Sequence, residues 1–364
     1  MRRRYRKLRR RKHKSLMRNT IIIMFVLTLG IATGYSAFQT NISINAKGNI
    51  KEKSRVIRSW TSDSVDDFHN SQYREIIVSA TFLDSTSLPS NVENSWDVSA
   101  DGKGGVIAYV MINEEDHTKY DLYIGAKNGV IANENSADLF SNFTAVKHIN
   151  FNDNFDTTTV ITMLRMFYHC TKLIDADVSN FNTANVTNMQ NMFDGCNNLV
   201  ELDVHNFITT NVVKMGAMFW CCYKLDKINV SNFNIENVDD INGMFGNCNS
   251  LSSINTGNFK NKKVKNMSQM FLRYYALETI DLSSFVTTQV TDMHGMFDGC
   301  NNLQTIYVSD SFDVSNVTNS SAMFHNTLKL VGQNGTVFSW NYVDKTYARI
   351  DTSSTPGYFT LKQS

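Results

Sequence analysis

Six cysteines carry the most reactive side chains of this 364-residue sequence. Five of them hold one position of a repeating pattern, separated by 26 residues or twice that: Cys170, Cys196, Cys222, Cys248 and Cys300. Stacked repeats would place such neighbours about 5 Å apart at Cα, which permits disulfides. A small apolar residue on one inward face also suits close stacking, whereas zinc needs ligands that converge at short spacing. The pattern favours buried free thiols over disulfides and predicts no metal site.

Closely spaced carboxylates are the second group with possible chemistry, because such oxygens can bind a cation. Acidic residues separated by one position occur on two predicted strands, as Asp175 with Asp177 and Glu201 with Asp203. Lys227 and Asn229 interrupt the pattern in the next unit, which favours a solvated acidic face over a cation site. The eight histidines are scattered, and zinc-protease, nucleophile-elbow and phosphate-loop motifs do not occur. We therefore expect neither an enzyme nor a bound cofactor.

A 26-residue repeat organises the chain from residue 139 onward. After Met166-Phe167, the dipeptide Met-Phe recurs six times at intervals of 26 or 27 residues, and Leu139-Phe140 holds the same position one unit earlier. A leucine follows each Met by seven positions: Leu173, Leu199, Leu225, Leu251, Leu277, Leu303 and Leu330. No single unit can bury its own apolar residues, so the eight units predict a stack that is capped at both ends.

One unit illustrates the local structure that we predict. From Met189 onward, apolar residues fall at offsets 0, 3, 4, 7 and 10, the spacing of one helical face. Gly195 precedes the column cysteine, where Gly or Asn suits the left-handed residue that ends a helix. Leu199-x-x-Leu202-x-Val204 alternates like a short strand with one buried face. Each unit should contain one short helix and one strand, which together form an α/β solenoid, and Asn185 and its equivalents should bond the backbone at the return.

The segment Phe181–Val204, FNTANVTNMQNMFDGCNNLVELDV, resembles the repeat of BspA-like leucine-rich repeat surface proteins of bacteria. The segments 95–140 and 347–360 are similar to the parts that flank such arrays. The resemblance implies a leucine-rich repeat array displayed on the cell surface, and members of that family are linked to adhesion and host-protein binding. It implies no catalytic residues, because the family has no common ones.

The amino terminus differs in charge from the rest of the chain. Residues 1–18 contain eleven Lys or Arg and no acid, which leaves 24 basic against 34 acidic residues in the remainder. Ile21 to Phe38 then carry no charge and as a helix would span about 27 Å, close to the hydrocarbon core of a bilayer. The positive-inside rule places the basic flank in the cytoplasm and the C-terminal part outside the cell. A cleaved signal peptide is the alternative, and it would make the protein secreted. Nucleic-acid binding by residues 2–14 fits the charge but not the apolar segment that follows.

The predicted organisation follows from these segments and from a 42% apolar composition, which excludes wholesale disorder. The segments are a basic cytoplasmic tail (1–19), a transmembrane or signal segment (20–38), a linker (39–54), a β-rich N-terminal cap (55–138), the leucine-rich repeat solenoid (139–330) and a C-terminal cap (331–364). The alternating stretches 106–112 and 120–124 supply the strands of the first cap.

The strand face of the solenoid is the expected ligand-binding surface, because its outward residues are free of core packing. The candidate residues are Asp175, Asp177, Glu201, Asp203, Asn229, Asn255, Asp281 and Tyr307, together with Trp220, an aromatic in a usually polar column. An extracellular protein or glycan is the expected partner, and the acidic end favours a basic protein over nucleic acid. Simple packing against the neighbouring unit is the alternative for Trp220. The alternative function is a passive spacer or envelope component without a dedicated ligand.

Overall fold

The computed structural model describes residues 54–60, 66–257, 259 and 261–363. The predicted basic tail, the apolar segment and all but the last residue of the linker lie outside the described residues. Within the described ranges, no helix is long and apolar enough to cross a membrane.

Short strands dominate the secondary structure of the described residues. They are β1 (Ile77–Leu83), β2 (Asn94–Asp97), β3 (Ile107–Ile112), β4 (Tyr120–Gly125), β5 (Val130–Ile131), β6 (His148–Asn150), β7 (Phe155–Asp156), β8 (Asp175–Ala176), β9 (Glu201–Leu202), β10 (Lys227–Ile228), β11 (Thr279–Asp281), β12 (Thr305–Val308) and β13 (Phe359–Leu361). The helices are α1 (Ser71–Arg74) and a 3-10 turn (Lys345–Tyr347). The strands β3 and β4 lie where the sequence alternates.

The N-terminal strands and the first repeat units share one sheet. Its six strands follow the order β2-β3-β4-β1-β6-β8. The pairs β2–β3 and β3–β4 are antiparallel, whereas β1 pairs in parallel with β4 on one side and β6 on the other. Because β6 also pairs in parallel with β8, the strands of the repeat continue directly from those of the N-terminal part.

Successive repeat units stack in parallel, as the sequence predicts. Parallel bridges join equivalent residues of eight units: Asn135, Thr162, Asn188, Lys214, Asp240, Asn266, Asp292 and Asn319. The strand register agrees with the repeat, since Glu201 pairs with Lys227 and Thr279 pairs with Thr305. A strand-rich repeat fold with small parallel sheets is therefore confirmed.

The predicted helix in each unit is wrong. In the unit that begins at Met189, the amides of Met189, Asn191, Phe193 and Gly195 donate to carbonyls of the next unit, and those of Met192, Asp194 and Cys196 donate three residues back. Left-handed backbone at Asn191 (φ 56°) and Gly195 (φ 76°) reverses the chain twice, so a helix cannot propagate. The segment is a run of turns in which alternate amides form a ladder between units.

The left-handed residue before the column cysteine is confirmed, although it ends a turn and not a helix. This position has a positive φ in His169, Gly195, Cys221, Asn247, Arg273, Gly299 and Asn326.

The apolar columns form one continuous core, as expected. Rings of the Met-Phe column stack from unit to unit, with centroids 5.0 Å apart between Phe167 and Phe193 and 5.9 Å apart between Phe193 and Phe219. The column leucines and the five column cysteines are fully buried. Each of these thiols donates to the carbonyl of the Met-Phe phenylalanine one unit earlier, as Cys196 does to Phe167 at 3.2 Å.

Two polar columns link neighbouring units. Asn185 Nδ2 donates to the Thr158 carbonyl at 2.9 Å, and Asn211 repeats this bond to Ala184 at 2.8 Å, which confirms the predicted asparagine column. A buried threonine column, which the sequence analysis missed, makes reciprocal bonds. For example, Thr209 Oγ1 donates to the Asn234 carbonyl at 2.9 Å and accepts from the Asn234 amide at 2.7 Å.

Candidate interaction surfaces

The outer sheet face is the side of β1, β4, β6 and β8–β12 that points away from the core. The structure places most of the predicted binding residues there as exposed side chains: Asp175, Asp177, Glu201, Asp203, Asn229 and Asn255. Asp281 and Tyr307 lie on the same face but are half-buried. The expected geometry of the strand face is present, with Leu202 and Val204 buried between exposed neighbours.

Five of these residues also have a structural role. The side-chain Oδ1 of Asp177, Asp203, Asn229, Asn255 and Asp281 accepts a hydrogen bond from the backbone amide two residues later. Such a bond stabilises the turn that follows each strand. The backbone and side-chain hydrogen bonds from His205 lower the pKa of the Asp203 carboxyl. The spacing of Asp or Asn two residues before Ser, Gly or His is the sequence signal for this role.

The C-terminal end of the outer sheet face is covered by the chain itself. Strand β13 pairs with β12 and brings Lys362 over the last units. The Lys362 ammonium lies 3.2 Å from Asp281 Oδ2 and 4.8 Å from the centroid of the Tyr307 ring. Asp281 and Tyr307 are therefore engaged within the protein, and the accessible part of the face lies towards its N-terminal end.

The N-terminal end of this face carries a groove of about 660 Å³. Its floor includes Asp121, whose Oδ2 accepts from Asn113 Nδ2 at 2.9 Å, and His148, whose Nδ1 lies 2.9 Å from Asp175 Oδ2. Acidic residues of the β3–β4 connection line it: Glu114, Glu115 and Asp116. Three lysines also line it: Lys119, Lys147 and Lys172.

The groove was not predicted from the sequence. The predicted β-rich cap (55–138) contains β1 and β4, and Ser79 of β1, Asp121 of β4 and His148 of β6 lie side by side in one sheet. The alternation of β4 was visible in the sequence, but the parallel pairing of β1 between β4 and β6 had no local signal.

Trp220 does not lie with the other predicted binding residues. It belongs to the turn segment of its unit, in the same column as Tyr168 and Asp194, away from the strands. A Cβ on Gly243 or Gly246 would come within 2.6 or 2.3 Å of its ring carbons, so these glycines make room for the indole in the next unit. Packing against the neighbouring unit, the alternative for Trp220, is therefore observed.

The cysteines are all free thiols in the structure. Burial raises the pKa of the five column thiols, to about 12 in Cys300, so they remain protonated and unreactive at neutral pH. Cys221 is half-buried, and burial raises its pKa as well. The described residues contain no group of three His, Cys, Asp or Glu side chains that could hold a metal ion.

The fold and these surfaces define a strand-rich repeat protein whose small sheets share one outer face. Residues 134–257 and 246–349 match the family described as "Mycoplasma protein of unknown function, DUF285". The two matches together cover more than half of the 364 residues, so the chain belongs to this family. No curated protein and no solved structure gives a significant match.

Proposed function

We propose that this chain is a leucine-rich repeat surface protein of the BspA-like kind, with a binding role and no catalytic one. The basic N-terminal tail and the apolar segment would hold it in the cell membrane with residues 39–364 outside, or would export it if the segment is cleaved. The outer sheet face would bind an extracellular protein with a basic surface.

The observation that carries this proposal is the groove at the N-terminal end of the outer sheet face. Glu114 and Glu115 line it as exposed side chains, and Glu201 is exposed on β9 of the same face. None of the three forms an ion pair with another described residue. Exposed, unpaired carboxylates cost little to bring against a basic partner and steer its approach. Three lysines in the same groove would select partners that also carry acidic groups.

A passive spacer is the second candidate, and a specific observation favours it. Five of the predicted binding residues stabilise the turns of their own units, and Lys362 already occupies the C-terminal end of the face. A face whose polar residues serve the fold needs no ligand to explain its composition.

A binding experiment separates the two candidates. Residues Ser54–Ser364 form one compact unit and can be immobilised and screened against extracellular matrix proteins at low salt. The triple variant E114Q/E115Q/E201Q should bind a captured protein with about tenfold lower affinity, and that affinity should depend less on salt. The matched variant E134Q/E278Q/D310N removes the same charge from exposed residues outside the groove and should bind like the wild type. If none of the proteins binds, the result supports the passive spacer.

The membrane arrangement has its own test. Sequencing of the mature amino terminus from cells should begin at the start of the chain if the apolar segment is an anchor. A mature sequence that begins near residue 37 would instead show that the segment is removed.

A further inference from the structure

A second surface of the repeat carries a depression that the outer sheet face does not include. It lies over the turn segments of three consecutive units and has a volume of about 300 Å³, at the lower end of the range for small-molecule sites. Its lining includes Tyr168, Asp194, Asn197, Trp220, Cys221 and Tyr223. Aromatic rings on both sides of a carboxylate are the feature that sets it apart.

The backbone fixes the order of these side chains. The Asp194 carbonyl accepts from the His169 amide at 2.7 Å, and the Trp220 carbonyl accepts from the Gly195 amide at 2.8 Å. Tyr168, Asp194 and Trp220 therefore hold one position in successive units, with Asp194 in the middle. Two strand spacings separate the aromatic residues by about 10 Å, which leaves room for one saccharide-sized ring.

Packing fixes two of the aromatic rings that line the depression. The Tyr168 ring stacks on His169 with centroids 4.0 Å apart. The Trp220 indole leans towards the following unit over Gly243 and Gly246. The His169 ring reaches over the next unit, since a Cβ on Gly195 would lie 2.4 Å from its Cδ2. Tyr223, which also lines the depression, is 39% exposed, so its ring is open to a ligand.

Asp194 supplies an acceptor at the base of the depression. Asp194 is only 8% exposed, and its Oδ2 accepts from Asn191 Nδ2 at 2.7 Å. Its Oδ1 accepts no hydrogen bond from any described side chain or backbone amide, so it is available to a ligand hydroxyl. No arginine or lysine is among the residues that line the depression.

We propose that this depression is a saccharide-binding site for a neutral hexopyranose unit of a glycan. The apolar C–H face of the sugar would lie against the exposed Tyr223 ring, and two neighbouring hydroxyls would donate to Asp194 and bond Asn197. An acidic sugar would bring its own carboxylate against Asp194, with no Arg or Lys in the lining to pair with it. This site lies outside the groove, so it does not depend on the function proposed above.

The test is saturation-transfer NMR on the full chain in a detergent without sugar headgroups. The panel consists of glucose, galactose, mannose, N-acetylglucosamine and N-acetylneuraminic acid. At least one neutral hexopyranose should bind with a Kd of about 1–10 mM, and N-acetylneuraminic acid should not. The isosteric D194N and the exposed Y223A variants should each weaken that binding at least about fivefold, equivalent to about 1 kcal/mol.

Two further variants complete the design. W220F keeps an aromatic ring over Gly243 and Gly246, so it should fold, with weaker binding than the wild type. W340A removes a tryptophan that is 57% exposed in the C-terminal cap and should bind like the wild type. Failure of every neutral sugar to bind, or a binding signal unchanged in both D194N and Y223A, would overturn the proposal. An unchanged groove-ligand affinity in D194N would show that the two sites are independent.

Discussion

At the residue scale, Tyr274 is the most informative departure from the repeat. It occupies the column position at which five other units carry cysteine, and it is fully buried. The cysteine thiols of that column donate to a carbonyl one unit earlier, as Cys300 does to Phe271 at 2.9 Å. The Tyr274 hydroxyl has no hydrogen-bond partner among the described residues. A larger side chain thus fills the site but leaves a polar atom unpaired.

Removal of this hydroxyl should stabilise the protein. We expect Tyr274→Phe to raise the free energy of unfolding by about 1 kcal/mol, because an unpaired buried hydroxyl carries its full desolvation cost. Urea denaturation followed by circular dichroism measures the change. Tyr275→Phe is the matched control, since Tyr275 is 40% exposed and should give no change. A loss of stability in Tyr274→Phe would mean that the hydroxyl is paired in solution.

Residue identity predicted some backbone features but not others. Gly195 and Asn247 suggested a left-handed position from the sequence, and both adopt it. A second left-handed position, four residues earlier, holds Arg165, Ala217 and Gln269 in three of the units. None of these residue types favours a positive φ, so only the stacking of whole units can impose it.

At the element scale, the helix prediction shows how one spacing can have two origins. Offsets of 0, 3, 4, 7 and 10 put side chains on one side of a helix, but consecutive tight turns also return the chain every three or four residues. The chain forms turns and not a helix because alternate amides, such as those of Asn191 and Phe193, donate to carbonyls of the next unit. An isolated unit has no such carbonyls, so its sequence alone could not reveal the choice. The strand periodicity around Leu202 was correctly predicted, since it depends only on which side faces the core.

The buried threonine column should contribute strongly to the cohesion of neighbouring units. We expect Thr209→Val to lower the free energy of unfolding by about 2–3 kcal/mol. The substitution keeps the shape but removes the buried Thr209 hydroxyl, which is the bonding partner of both the amide and the carbonyl of Asn234. Thermal or urea unfolding measures the loss. The adjacent Thr210 is exposed, so Thr210→Val is the matched control and should change stability by less than about 0.5 kcal/mol. Equal effects of the two variants would contradict this role for the column.

At the scale of the whole molecule, the repeat was predictable and its closure was not. Columns such as the Met-Phe phenylalanines predict stacking over the whole array, because every unit has the same apolar residues to bury. Each end of the stack occurs only once in the chain, so no repeated pattern indicates its structure. Two features therefore appear only in the folded chain. Strand β1 inserts between β4 and β6 and so forms the groove, and Lys362 lies over Asp281. All of the predicted binding residues except Trp220 lie on one face, and the groove residues at its N-terminal end had no signal in the sequence.

The C-terminal end of the stack depends on one buried carboxylate. Asp351 is fully buried, and its two oxygens accept from the amides of Asn334, Thr336 and Gly357 and from the Thr336 hydroxyl at 2.7–3.2 Å. These bonds tie the segment 332–336 to the strand β13 that closes the last unit. Burial alone would raise the pKa of this carboxyl, but the four hydrogen bonds outweigh it and the pKa is lowered.

In a repeat stack, loss of this tie should open the C-terminal units before the rest, because each unit is stabilised mainly by its neighbours. We expect Asp351→Asn to destabilise the C-terminal end by about 2 kcal/mol, because the asparagine NH2 group is a donor and would face the N–H and O–H donors that bond the carboxylate. Hydrogen exchange should accelerate in β12 and β13 and remain unchanged around Asn188. Asp310→Asn, at an exposed position near β12, is the matched control and should leave both regions unchanged. Uniform acceleration along the whole chain would show that the stack unfolds as a single unit.

The lowered pKa of Asp351 also sets the pH dependence of this effect. A carboxyl whose pKa is lower in the folded than in the unfolded state stabilises the fold fully above its ordinary value, and that stabilisation is lost as pH falls through the folded pKa. The difference in exchange between wild type and Asp351→Asn should therefore be constant from about pH 7 to pH 5 and shrink below about pH 4. The wild type moves towards the variant as its carboxylate becomes protonated. A difference that grows as pH falls would place the stabilising charge elsewhere in the C-terminal cap.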